Sequence, residues 1–313
     1  MSKFTIEDFK GVSPASITNF NKDEEIDEKI IKNFYRYLLK FDIGGLYITG
    51  STGETFLMTP DERKKVLEII MDEVKDEVPV VAHIGAMSTK ISIELAKHAE
   101  AHGVTAISSV PPFYWKFNDD QIFNYYKDIA QSVNIPLIIY NVPLIGMMPV
   151  DMIKRLSEIE NVKGVKYTGT DIFEITMIKD TLGEDFLVYG GADELASSNL
   201  AIGVDGIIGS FYNMIPDVFI EIYDLTKKGE YAKAARMQKN ALRIIMYTLK
   251  FGSMAAAIKA ILRQSGVEAG YSRRPFNNFS DEKEKEIARG LIDLAYKYNC
   301  EDIAVVKRLI ERL

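Results

Sequence analysis

The sequence is poor in the residues that build disulfides and zinc clusters. Among 313 residues there is a single cysteine, Cys300, and only three histidines. One thiol closes no disulfide within the chain, and no cysteine cluster is available for zinc. An excess of positive charge is also lacking: 45 acidic residues outweigh 38 Lys and Arg, and the net charge of −7 argues against general nucleic-acid binding. Apolar runs such as "PLIIYNVPLIG" are too short and too interrupted to span a membrane. The opening "MSKFTIEDFK" has no apolar signal-peptide core, so a cytoplasmic protein is expected. Low-complexity linkers and clear internal repeats are missing too.

What is present is a regular alternation. Short β-rich segments begin at Gly11, Gly44, Val78, Ala106, Pro136, Val162, Phe186 and Gly206. Between them lie stretches of helical periodicity, such as "PDERKKVLEIIMDEV". Thr59 to Glu62 reads as a capping box with proline at the first helical position, and Asn118 with Gln121 reads the same way. The rhythm of about 30 residues per unit is that of a parallel sheet built from βαβ units. Eight units in roughly 220 residues fit a closed (β/α)8 TIM barrel. An open doubly wound sheet would want a glycine fingerprint after its first strand, and "SITNFNKDEE" offers none. We therefore expect a barrel over residues 1–225 and a C-terminal helical extension packed on it over 226–313.

The segment "NVKGVKYTGTD" raises a question. Strand alternation places Val162, Gly164, Lys166 and Thr168 on one face, with Lys163, Val165 and Tyr167 on the other. A strand end fraying into water would explain Lys166, because lysine is rarely buried without a partner. The alternative is an amine made reactive by burial, since desolvation disfavours the charged form and the neutral amine attacks carbonyls.

In a barrel of this kind chemistry sits at the C-terminal ends of the strands. Those ends carry Ser51, Thr52 and Glu54 of "GSTGE", Tyr114 and Trp115, Tyr140, Lys166 and Thr168, Gly191, Asp193 and Glu194 of "GGADE", and Ser210. Each has a bland reading as a turn, cap or core residue. Together they put a lysine in a ring of hydroxyls, which suits a Schiff base with a phenol nearby to move protons. His98 and His102, four apart, share a helix face and could ligate a metal. "HAEAH" lacks the glutamate beside the first histidine of the zincin pattern, so we read them as a solvated face and expect no metal. His83 ends the third strand and has no assigned role.

"GLYITGSTGE", "YNVP", "GVKYTGTD", "YGGADE", "GIIGSFYN" and "RRPF", in this order, resemble the N-acetylneuraminate lyase and dihydrodipicolinate synthase superfamily over nearly the whole chain. The resemblance implies a pyruvate-dependent Schiff-base aldolase or carbon–carbon lyase with no cofactor, assembled as a homotetramer. By that similarity Lys166 forms the imine, Tyr140 shuttles the proton of the substrate's C4 hydroxyl, and Ser51 and Thr52 bind the pyruvate carboxylate. Tyr114 would cross an interface to join the hydroxyl relay of Ser51 and Tyr140 in a neighbouring subunit.

The branch acting as dihydrodipicolinate synthase usually carries an arginine soon after "YNVP"; here Leu144, Ile145 and Gly146 follow. Without that guanidinium a second substrate carboxylate loses its partner. "GSTGE" with "GGADE" resembles the sialic acid lyase branch, where residues matching Gly191, Asp193, Glu194 and Ser210 bind the polyhydroxylated tail, with Thr168 beside them. The expected reaction is thus cleavage of N-acetylneuraminate to N-acetylmannosamine and pyruvate. The rivals are another superfamily aldolase, including one acting on 2-keto-3-deoxy sugar acids, and a non-catalytic sugar-acid sensor. Three departures stand out: Asn19 where the family often has proline, expected to loosen a turn; Trp115 where a second tyrosine is common; and Ala192 before Asp193.

Overall fold

The computed structural model describes residues 2–74 and 76–313. Among these, strands β1 (Gly11–Pro14), β2 (Leu46–Ile48), β3 (Val80–His83), β4 (Ala106–Ser109), β5 (Leu137–Asn141), β6 (Val162–Tyr167), β7 (Leu187–Gly190) and β8 (Gly206–Gly209) form one parallel sheet. Its order is β1-β8-β7-β6-β5-β4-β3-β2, and the seam is closed by a parallel bridge between Ala15 and Tyr47, with Ser16 N–H donating to the Tyr47 carbonyl at 2.8 Å. All eight strands predicted from the sequence are present.

Each strand is followed by a helix: α1 (Glu28–Leu38), α2 (Pro60–Val74), α3 (Thr89–Ala101), α4 (Asp119–Ala130), α5 (Val150–Ser157), α6 (Ile172–Leu182), α7 (Ala196–Ala201) and α8 (Pro216–Lys227). Four more helices, α9 (Tyr231–Leu249), α10 (Met254–Gln264), α11 (Asp281–Tyr298) and α12 (Ala304–Arg312), form the C-terminal extension. No single helix among the described residues is long and apolar enough to cross a membrane.

Local chemistry explains the helix starts. Thr59 Oγ1 accepts from Glu62 N–H at 3.2 Å while Glu62 Oε2 accepts from Thr59 N–H at 2.7 Å, and Asn118 and Gln121 form the same reciprocal pair. Asp171, the last residue of "GVKYTGTD", accepts from Phe173 and Glu174 N–H and so starts α6 directly behind the β6 loop.

Side chains divide into two cores. The larger lies between strands and helices and includes Leu46, Ile48, Val165, Tyr167 and Ile207. The smaller fills the barrel, with Tyr47, Val81, Ala106, Ile138, Tyr140, Leu187 and Ile208. The two sets alternate along each strand, as a closed sheet requires.

Strand β6 departs from simple alternation. Leu137 pairs with Val162 but Ile138 pairs with Gly164, so Lys163 is an extra residue in the ladder. Val162 therefore packs outward with Val165 and Tyr167, not on the face of Gly164 and Lys166 as alternation predicts. The bulge leaves Lys163 exposed and keeps Lys166 on the inner side.

Candidate active site

Lys166 is 3% exposed. Its Nζ lies 4.3 Å from the ring centroid of Tyr47 and 4.2 Å from that of Tyr140, two rings 6.0 Å apart at 75°. Aromatic faces attract a cation, so this amine is surrounded by π density rather than water. Strand fraying therefore does not explain Lys166. Tyr47 O–H donates to Ser108 Oγ at 3.0 Å, and burial, with Tyr140 adding to it, holds its phenol well above the usual range. His83 stands against both rings at 6.4 and 6.0 Å. Burial drives the imidazole well below its ordinary pKa, with Arg63 and Lys166 adding to the effect, so His83 is neutral near pH 7.

The "GSTGE" loop after β2 is strained. Thr49 and Glu54 adopt left-handed φ angles of 52° and 58°, conformations that cost of order 1–3 kcal/mol and persist only under outside constraint. The constraints are visible. Thr49 Oγ1 donates to the His83 carbonyl at 3.0 Å, and Thr18 Oγ1 donates to the Gly53 carbonyl at 2.7 Å. Glu54 is buried with Lys259 of α10, whose Nζ donates to Oε1 at 2.5 Å and to the Tyr271 carbonyl at 2.8 Å. Arg273 N–H donates to the other carboxylate oxygen at 2.8 Å. Burial pulls the Lys259 ammonium down to about 8, opposed by Glu54. So anchored, the loop presents Ser51 and Thr52, with Thr52 Oγ1 2.6 Å from Ser210 Oγ.

The turn after β1 is held from the same side. Asn19 is buried, and its Nδ2 donates to the Ala269 carbonyl at 2.8 Å. The amide thus ties this turn to the extension, a bond that a proline ring at this position could not make.

On the opposite wall, Gly191 has no room for a side chain: a Cβ there would lie 2.1 Å from Thr168 Oγ1. That hydroxyl is itself buried without a hydrogen-bond partner. Asp193 is buried, and its Oδ2 accepts from Phe211 N–H at 2.8 Å. It thereby fixes the turn after β8 that carries Ser210. Burial pushes its carboxyl up to about 7, against the Phe211 hydrogen bond and the charge of Lys166. Glu194 beside it is exposed. Gln238 of α9 donates to the Asp193 carbonyl at 3.0 Å and accepts from Ser197 N–H at 2.9 Å, a second tie from the extension.

One predicted residue stands apart. Tyr114 has φ of 82° and is 82% exposed, stacked edge-on against Trp115 at 4.9 Å. Leu144, exposed at the tip of the loop after "YN", sits on a turn pinned by Asn141, whose side chain donates to and accepts from Met148.

Sequence reading missed Tyr47, Arg63, Gln238 and Lys259. Arg63 of α2 donates to the carbonyls of His83 and Gly85 from a buried position that pulls its guanidinium down to about 10. Tyr47 could have been found, since it alternates with the outward-facing Leu46 and Ile48. Lys259 left a fainter signal: a lone charge in the apolar run "MAAAIKAIL".

Two outcomes follow. Lys259→Met leaves the Glu54 carboxylate buried and unpaired, and should lower unfolding stability by about 3–5 kcal/mol in urea titrations. Glu54→Gln combined with it should recover part of that loss. Asp193 carries a folded-state value above its unfolded one, so its contribution to stability is complete below pH 4 and lost as the pH rises through 7. Asp193→Asn should flatten the fall in urea midpoint between pH 4 and 7 relative to wild type.

The chain matches the dihydrodipicolinate synthetase family over residues 8–293. It is 37% identical to the N-acetylneuraminate lyase of Clostridium perfringens over 284 residues, covering 89% of this chain and 98% of that one. With the N-acetylneuraminate lyase of Rhizobium meliloti it shares 33% identity, over 87% and 91% of the two chains. Among solved structures it is similar to the Ruminococcus gnavus sialic acid aldolase in its catalytic lysine mutant form, with a TM-score of 0.88, 31% identity and coverage of 95% and 100%. It is likewise similar to CdNal of Clostridium difficile in complex with mannosamine, with a TM-score of 0.86, 35% identity and coverage of 92% and 99%. The chain belongs to the dihydrodipicolinate synthetase family, and these relatives place it beside the family's N-acetylneuraminate lyases.

Proposed function

We propose that this protein is a Schiff-base lyase that cleaves N-acetylneuraminate to N-acetylmannosamine and pyruvate through an imine on Lys166. The observation that carries this reading is an amine 3% exposed at a strand end, set between the rings of Tyr47 and Tyr140.

In the forward direction the neutral amine adds to the C2 ketone of the open-chain sugar acid, and loss of water gives the protonated imine. Tyr140 takes the proton of the C4 hydroxyl while the C3–C4 bond breaks. The electron pair of that bond passes into the imine to form an enamine, and the aldehyde of N-acetylmannosamine departs. Protonation at C3 and hydrolysis release pyruvate and the free lysine. The imine is itself the electron sink, so the chemistry calls for no metal or organic cofactor.

Ser51 and Thr52, with the amides of their strained loop, hold the carboxylate beside the ketone. Tyr114 serves the site of a neighbouring subunit in a homotetramer; its exposure and left-handed backbone suit a side chain offered outward. Thr168, Gly191, Asp193, Glu194 and Ser210 surround the polyhydroxylated tail. Asp193 is committed to the Phe211 amide, so exposed Glu194 supplies the carboxylate that the tail hydroxyls meet. Leu144 and the absence of an arginine in "YNVPLIGMM" disfavour a substrate with a second carboxylate.

Borohydride reduction with pyruvate, and separately with N-acetylneuraminate, followed by peptide mass mapping, tests the reading. An adduct on Lys166 from both, absent in Lys166→Ala, is expected. An adduct from pyruvate alone would retain the imine and reject sialic acid as substrate; none from either would reject the lyase. Glu194→Ala should raise KM for N-acetylneuraminate about tenfold, the cost of one charge-assisted hydrogen bond, and leave pyruvate trapping unchanged.

A further inference from the structure

Away from the barrel mouth, the fold assembles a two-histidine, one-carboxylate cluster on the outer helices. Glu68 of α2 meets His98 and His102 from the end of α3. Glu68 Oε1 lies 2.8 Å from His98 Nε2 and 3.9 Å from His102 Nε2, and the three ligand atoms all lie within 4.8 Å of one another. We propose that Glu68, His98 and His102 form a binding site for a transition-metal dication of the zinc or nickel class. This inference is independent of the lyase reading.

Four observations support it. First, the spacing fits. Ligand atoms arranged tetrahedrally at about 2.1 Å from a metal stand roughly 3.4 Å from one another, inside the span found here. Second, the tautomer is set. His102 Nδ1 lies 2.8 Å from the carbonyl oxygen of His98, which accepts only if the proton sits on Nδ1. That leaves the Nε2 lone pair free and aimed at the cluster, the arrangement by which an outer hydrogen bond orients a metal-bound imidazole. Third, the rings are already side by side, with centroids 4.1 Å apart and planes 33° apart. Fourth, α2 and α3 are tied independently by the Lys64–Glu94 ion pair, so the ligands sit on helices held together without the metal.

The donor set selects the ion. Two imidazoles and one carboxylate suit zinc, nickel, copper or cobalt, whereas calcium and magnesium want oxygen alone. The cluster is open on its solvent side, leaving positions for water. In the proton-only state His98 Nε2–H donates to Glu68, and the metal takes that proton's place. Barrel helices run back from the strand C-termini, so Glu68, beyond the middle of α2, and the end of α3 lie toward the face opposite Lys166. The site thus joins two outer helices and does not reach the reacting atoms.

Calorimetric titration of the chelator-treated, full-length protein with Zn2+ or Ni2+ is the test, with Co2+ visible absorption as a readout of imidazole ligation. One equivalent per chain is expected for wild type. His102→Gln and Glu68→Gln should each weaken binding about tenfold or more, with turnover unchanged in both. Equal binding by wild type and a His98→Gln/His102→Gln double variant would mean an adventitious ion only and would overturn the site, as would no Zn2+ or Ni2+ binding by wild type.

Discussion

The architecture of the site depends on one buried ion pair. Glu54 and Lys259 lie 205 residues apart and are both shielded from water, where either charge alone would be strongly destabilising. Their contact joins the "GSTGE" loop to α10 and holds Glu54 in a left-handed conformation it would otherwise leave. Arg273 completes the carboxylate's hydrogen bonding, so no acceptor is left open on that side. The hydroxyls of Ser51 and Thr52 are placed by this clamp, because the loop has no regular secondary structure to place them.

The same logic extends around the barrel mouth. Asn19, Asp193 and Glu54 each take a bond from the C-terminal part of the chain, through Ala269, Gln238 and Lys259 respectively. The extension is thus the outer support of three catalytic-end loops. On the inner side, aromatic packing does the comparable work: Tyr47, His83 and Tyr140 form a wall of rings against the Lys166 amine. These rings give the buried amine electron-rich contacts that a uniformly aliphatic barrel lining would lack.

Sequence pattern reached the strands and helix starts because both are written in local chemistry. The capping boxes at Thr59 and Asn118 need only four consecutive residues, and the period-two pattern needs only one strand. The face of Val162 was misread because a bulge is a property of two paired strands, set by the mismatch of Leu137 and Ile138 against Val162 and Gly164. The bond made by Asn19 was invisible for a related reason: its partner carbonyl lies 250 residues away. That Glu68 meets His98 and His102 was out of reach for the same reason, because the carboxylate comes from α2 and the imidazoles from the end of α3.

By itself, the sequence determined the barrel, the end of it at which polar residues gather, and the place of Lys166 on the inner face of its strand. It could do so because periodicity, turn residues and helix caps are short-range. The tertiary structure decided which groups surround that lysine, which carboxylate is held by backbone amides and which faces solvent, and which distant charge steadies the loop beside it. Those choices depend on burial, and burial exists only once strands far apart in sequence have closed into one barrel.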